Sequence, residues 1–152
     1  MNTKEASKIV GKLSKTSKMP CYSYNLPATK CITGSKMAKI KGTTCYDCYA
    51  LKGMYNFPVV KNAMLRRHEA INHPEWVFAM AVLINSKKSK YFRWHDSGDI
   101  QSIEHLKNIF EVCKATPNTI HWLPTREAQI LKQIDKKDVP DNLVIRLSAI
   151  KV

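Results

Sequence analysis

The stretch KYFRWHDSGDIQSIEHLKNIFEVCKATPNTIHWLPTRE, residues 90–127, decides the fold. Tyr91-Phe92-Arg93-Trp94-His95 is short and aromatic, as a strand is, and it ends in the turn residues Asp96-Ser97-Gly98-Asp99. Ser102 to Ala115 places Ile103, Leu106, Ile109, Phe110 and Cys113 on one helical face. Thr119-Ile120-His121-Trp122-Leu123 reads as a second strand and ends in Pro124-Thr125-Arg126-Glu127. Beyond it, Glu127 to Lys136 reads as a helix with Ile130, Leu131 and Ile134 inside. Leu143-Val144-Ile145-Arg146-Leu147-Ser148 reads as a third strand. Strand–helix–strand–helix–strand implies a parallel sheet with right-handed crossovers. The fold class is therefore α/β, with parallel-sheet βα repeats resembling a partial barrel.

Working backwards, Pro58 opens a helical stretch, Val59 to Asn72. Pro74 opens a second, to about Ser86, which is apolar nearly all round and expected to be buried. Residues 19–58 differ in kind. Four of the five cysteines lie there, Cys21, Cys31, Cys45 and Cys48, among Pro20, Pro27, Gly34, Gly42 and Gly53. No helical or strand period runs through this loop-rich segment. Such a segment holds thiols well, and a metal substitutes for the core it lacks. Residues 1–18 are polar and lysine-rich and are expected to form a loosely held arm. The expected organisation is one domain over 1–152: a basic arm (1–18), a metal-binding cysteine loop (19–58), helices (59–89) and a βαβαβ unit (90–152).

The spacing bears on the metal. Cys45 and Cys48 make one Cys-x-x-Cys pair, but nine residues separate Cys21 from Cys31 and thirteen separate Cys31 from Cys45. A four-cysteine zinc site prefers two short pairs. An iron–sulfur cluster gathers ligands from a wider loop and favours an apolar, aromatic wrapping such as Tyr22, Tyr24, Tyr46, Tyr49, Leu26 and Leu51. An iron–sulfur cluster, with [4Fe-4S] favoured, is expected ahead of zinc, and [3Fe-4S] follows if a ligand is missing. Disulfides or plain buried thiols are the bland alternative. Disulfides need an oxidising compartment, and nothing here indicates one. The N-terminus has no apolar signal region and no apolar run spans a bilayer, so a cytoplasmic location without membrane attachment is expected.

The formal net charge is +13, from 25 Lys and Arg against 12 Asp and Glu. Up to Lys52 the lysines are opposed only by Glu5 and Asp47. A basic N-terminal third attracts nucleic acid or an acidic redox partner; a solvated lysine face explains it equally well. Ligands of parallel βα sheets sit outside the carboxyl ends of the strands. His95, Asp96, Ser97, Arg126 and Glu127 are thus candidates to surround the metal or bind a ligand. Gly98 would allow close backbone approach. Against this, Asp96, Ser97 and Asp99 suit turns and caps, and Thr125 suits a helix N-cap.

The segments Met19-Pro20-Cys21-Tyr22-Ser23-Tyr24, Cys31-Ile32-Thr33-Gly34 and Cys45-Tyr46-Asp47-Cys48-Tyr49-Ala50 resemble the phage "gene product 88" family. So do Phe92-Arg93-Trp94-His95-Asp96-Ser97-Gly98-Asp99 and Trp122-Leu123-Pro124-Thr125-Arg126-Glu127. The resemblance covers roughly residues 19–149. It implies a viral protein acting in the cytoplasm of an infected cell. Related chains run on past the position of Val152, which implies a partial rather than a complete barrel.

A remoter likeness is to radical S-adenosylmethionine (SAM) enzymes, which pair a cysteine loop with a partial βα barrel. Their pattern has a further cysteine four residues before the Cys-x-x-Cys pair, where this chain has Lys41. Three functions follow. Four ligating cysteines saturate a [4Fe-4S] cluster and give a ferredoxin-like electron-transfer or structural role. Three leave an iron open for radical SAM-like chemistry, with His95, Asp96 and Arg126 holding the cofactor. Zinc would give a metal-stabilised nucleic-acid-binding protein.

Overall fold

The structure, a computed structural model, describes residues 1–15, 21–26, 58–95 and 98–148, with backbone alone at 59–61. In chain order the elements are α1 (Thr3–Val10), β1 (Ser14–Lys15), β2 (Tyr22–Tyr24), α2 (Pro58–Ala70) and α3 (Trp76–Lys87). They continue with β3 (Tyr91–Trp94), α4 (Ile103–Ala115), β4 (Ile120–Thr125), α5 (Ala128–Leu131), a 3₁₀ turn (Lys136–Asp138) and β5 (Leu143–Leu147). The sheet order is β1-β2-β3-β4-β5. β1 runs antiparallel to β2, and β2 through β5 are mutually parallel. Sequential order in a parallel sheet, with helices against one face, is the arrangement of a partial barrel. The α/β class and the parallel βα repeats expected from the sequence are present.

Strand alternation sorts the side chains. Tyr24, Phe92, Trp94, His121, Leu123 and Leu143 point to the helix side and are buried. There they meet Trp76, Met80 and Ile84 of α3 and Leu106, Ile109, Phe110 and Cys113 of α4. Trp76 lies between Tyr24 and Trp94, with ring centroids 6.2 and 5.8 Å away. The opposite positions, Tyr91, Ile120, Trp122 and Val144, are exposed.

Four expectations are corrected. The basic arm is not loose over its described residues. Asn2 caps α1, its side-chain oxygen accepting from Glu5 N at 2.8 Å. Ala6 and Val10 are fully buried in the common core, and α1 packs along α3. Alternating lysines with two small apolar residues one turn apart give enough of a stripe to dock. Second, residues 22–24 of the cysteine loop form a strand inside the sheet. Three residues are too few to show a period. Third, α3 is not buried all round, because Phe78 is 56% exposed. Fourth, the helix expected over Glu127–Lys136 stops at Leu131. Asp135 draws Lys137 N to its carboxylate at 3.0 Å and starts the 3₁₀ turn instead.

Candidate functional site

β2, β3 and β4 end side by side at the carboxyl rim. His95 follows β3 at φ +58, a left-handed conformation rare for a residue with a Cβ. Its backbone N still donates to Tyr24 O at 3.2 Å, so the strain closes the parallel ladder. Its imidazole is buried, and among the described residues neither ring nitrogen has a hydrogen-bond partner. His105, in the first turn of α4, is its neighbour, with ring centroids 5.4 Å apart. The Nδ1 of His105 accepts from Gln101 N at 3.1 Å, which leaves the proton on Nε2, and Nε2 has no partner among the described residues. Burial first holds both below the ordinary histidine value, with His105 adding to the effect at His95 and His68 at His105: His105 at about 3 and His95 well below 6.5. Both are neutral imidazoles at pH 7. Three buried ring nitrogens without partners, on two adjacent histidines, would each cost free energy unless something meets them.

Asp99 ties the rim together. Oδ1 accepts from Thr125 Oγ1 at 2.5 Å and from Ile100 N at 2.8 Å, and Oδ2 accepts from Arg126 N at 2.9 Å. Burial raises its pKa to about 6, against these three donors, which lower it. Asp99 is therefore a strap between the ends of β3 and β4, and the N-cap of α4 is Ser102, whose Oγ accepts from His105 N at 3.0 Å. Thr125 Oγ1 accepts from Glu127 N at 3.1 Å, as a cap-like residue would. Gly98 sits at φ +85, and a Cβ there would lie 2.6 Å from Leu26 Cβ and 2.8 Å from Leu26 O. The expected close approach is real. It presses the β3 end onto the residue from which the cysteine segment departs.

The expected site residues fall into three groups. His95, Arg126 and Glu127 lie at the carboxyl rim, and His95 and Glu127 are buried. Cys21 is buried directly before β2, at the other end of that strand. A rise of about 3.3 Å per residue separates it from Asn25 by about 13 Å. Cys31, Cys45, Cys48, Asp96 and Ser97 lie outside the described residues. Among the described residues, no three His, Cys, Asp or Glu side chains assemble into a metal site. His121, inside the second predicted strand, belongs to the helix side near the amino end of β4. Cys113 is a core thiol as expected, its pKa pushed up to about 12 by burial.

His105 lies outside the apolar face that marks its helix in the sequence. The signal for it was local: with Ser102 as the cap, His105 is the third helical residue and turns back toward the strand ends. Away from the rim, α1 and α2 enclose a groove of about 800 Å³ lined by Lys4, Lys8, Lys12, Arg66 and Arg67. Arg67 donates to Lys12 O from Nε and Nη2, at 3.2 and 3.0 Å, and so fixes the two elements together.

A sheet of this order, mostly parallel and with buried polar groups at its carboxyl rim, defines a protein of the α/β class. The whole chain, residues 1–152, matches the family model of gene product 88, and the protein belongs to that phage family. No curated protein and no solved structure gave a match. No helix among the described residues is long and apolar enough to cross a membrane.

Proposed function

We propose that this phage protein binds a [4Fe-4S] cluster through Cys21, Cys31, Cys45 and Cys48 and transfers electrons in the cytoplasm of the infected host cell. The observation that carries the reading is the point of departure of the cysteine segment. It leaves the sheet at Leu26, on the carboxyl rim, beside two buried imidazoles with nitrogens to satisfy. Thiols suit iron, and the buried Tyr24 and Leu26, at the rim from which the cysteine segment departs, supply the low-dielectric wrapping a cluster needs. The bound cluster supplies one-electron chemistry. The chain supplies solvent exclusion, the Nε2–H of His105 as a donor, and His95 as a donor or acceptor. The groove of Lys4, Lys8, Lys12 and Arg66 supports docking of an acidic redox partner.

One observation favours a second reading. Cys21 and the departing segment lie at opposite ends of β2. Three cysteines on that segment without Cys21 would leave one iron open, as in a radical-type enzyme.

The test is iron, zinc and acid-labile sulfide analysis with a visible spectrum, on protein purified without oxygen. Near-equal iron and sulfide, lost in Cys45→Ser and Cys48→Ser and kept in Cys113→Ser, is the expected result. Loss of the cluster in Cys21→Ser as well supports the saturated carrier. A cluster that survives Cys21→Ser and changes its spectrum on addition of SAM supports the enzyme. A colourless protein with stoichiometric zinc sinks both and favours the zinc-stabilised protein.

A further inference from the structure

We propose that the open face of the sheet binds single-stranded nucleic acid. The register places Tyr91 beside Ile120, Arg93 beside Trp122, Trp122 beside Val144, and Pro124 beside Arg146. All lie on the face away from α3 and α4. Parallel sheets are ordinarily covered on both faces. Here Tyr91, Ile120, Trp122 and Val144 are 46, 41, 36 and 53% exposed. An apolar patch of this kind on adjacent strands marks a binding surface.

The chemistry of the patch selects the occupant. β3, β4 and β5 contain no acidic residue. The two exposed aromatics each carry a cation: Arg93 lies over Trp122 at 4.7 Å from the ring centroid, and Lys90 over Tyr91 at 5.5 Å. Arg146 is exposed one row further along. Rings that can stack on a base, interleaved with cations that can meet its phosphate, are the two parts of a single-strand site. Adjacent strands about 4.8 Å apart, and rows about 7 Å apart along a strand, spread the two rings enough for unstacked bases. A duplex keeps its bases stacked and cannot use the rings. The net charge of +13 adds attraction for any polyanion. The aromatic–cation pairs add the preference for a single strand. None of this depends on the metal.

The test uses the full chain and a fluorescein-labelled oligothymidine of about fifteen nucleotides, against a duplex of equal length. Trp122 reports directly, because Trp76 and Trp94 are fully buried. The single strand is expected to bind at least about tenfold more tightly than the duplex and to quench the exposed tryptophan. Trp122→Ala should weaken binding about tenfold with an unchanged melting temperature, while Trp122→Phe stays within about threefold. Lys8→Glu, in the groove on the helix side, should leave the single-strand preference intact. Equal affinity for both probes overturns the proposal. So does sensitivity to Lys8→Glu without sensitivity to Trp122→Ala, which would mean charge alone. So does no binding with Trp122 shielded from iodide, which would mean that the face is already covered.

Discussion

Two histidines, His121 near the amino end of the sheet and His95 at the carboxyl end, are buried at 0 and 3% exposure. Around His121 every polar atom is used. Trp94 Nε1 donates to Nδ1 at 3.0 Å, so the ring proton is on Nε2 and donates to Thr116 Oγ1 at 2.7 Å. Thr116 in turn donates to Val112 O at 2.8 Å. The chain links β3, β4 and the end of α4. His95 makes no such bond, holds a left-handed φ, and faces a second histidine with a nitrogen likewise unmet. The difference separates two uses of a buried imidazole. One is a fixed member of the core. The other is held at a cost that its described neighbours do not offset.

The largest expected effect is on acid stability, and it tests what the two share. Burial depresses His121 to about 4, His105 to about 3, and His95 well below 6.5. A depressed folded pKa gives stability that is complete above the unfolded value near 6.5 and is lost as pH falls. Each histidine then loses roughly 1.4 kcal/mol per pH unit until its folded pKa is reached. Asp99 acts in the opposite sense. Its pKa is raised to about 6, so its contribution is full below the unfolded carboxylate value and fades as pH rises through 6. Three histidines outweigh one aspartate. Urea midpoints taken from pH 7 to pH 4.5 should fall by the equivalent of several kcal/mol. A flat profile would mean that these rings are not buried neutral.

Next in size is His121→Ala, which acts on one ring. It leaves Trp94 Nε1 without an acceptor and opens a cavity between β4 and α4. The expected cost is about 3 kcal/mol, read from the urea midpoint, with part of the acid sensitivity removed as well. A loss below about 1 kcal/mol would show that the Trp94–His121–Thr116 chain contributes little.

These contrasts also explain what the sequence made legible. The βαβαβ half could be read because its helix and strands are long enough to show their periods, and because Gly98 and Pro124 punctuate them. β2 was hidden by its three residues. The end of α5 was hidden because Asp135 competes locally with a helix whose apolar spacing continues to Ile134. His95 was visible as a rim residue, since strand ends carry ligands. Its difference from His121 was not, because both sit in aromatic strands and only tertiary contacts reveal which nitrogens are met. Asp99 looked like a cap for the same reason: its partners Thr125 and Arg126 lie on the next strand, 26 and 27 residues away.

The smallest expected effect on stability carries the most information. His95→Asn removes an imidazole that makes no hydrogen bond among the described residues, and asparagine adopts a left-handed φ more readily than histidine. The relief of strain opposes the lost ring contacts with Trp94 and His105, at 6.0 and 5.4 Å. The net change should be under about 1 kcal/mol. If a cluster is bound, its visible spectrum or midpoint potential should move while iron content per chain stays the same, because the change is in a hydrogen-bonding neighbour and not in a thiolate ligand. A stability loss as large as that of His121→Ala would make His95 a core residue like His121, and the distinction between the two ends of the sheet would fail. A silent spectrum in an otherwise stable variant would instead leave the strain at His95 without a ligand to justify it.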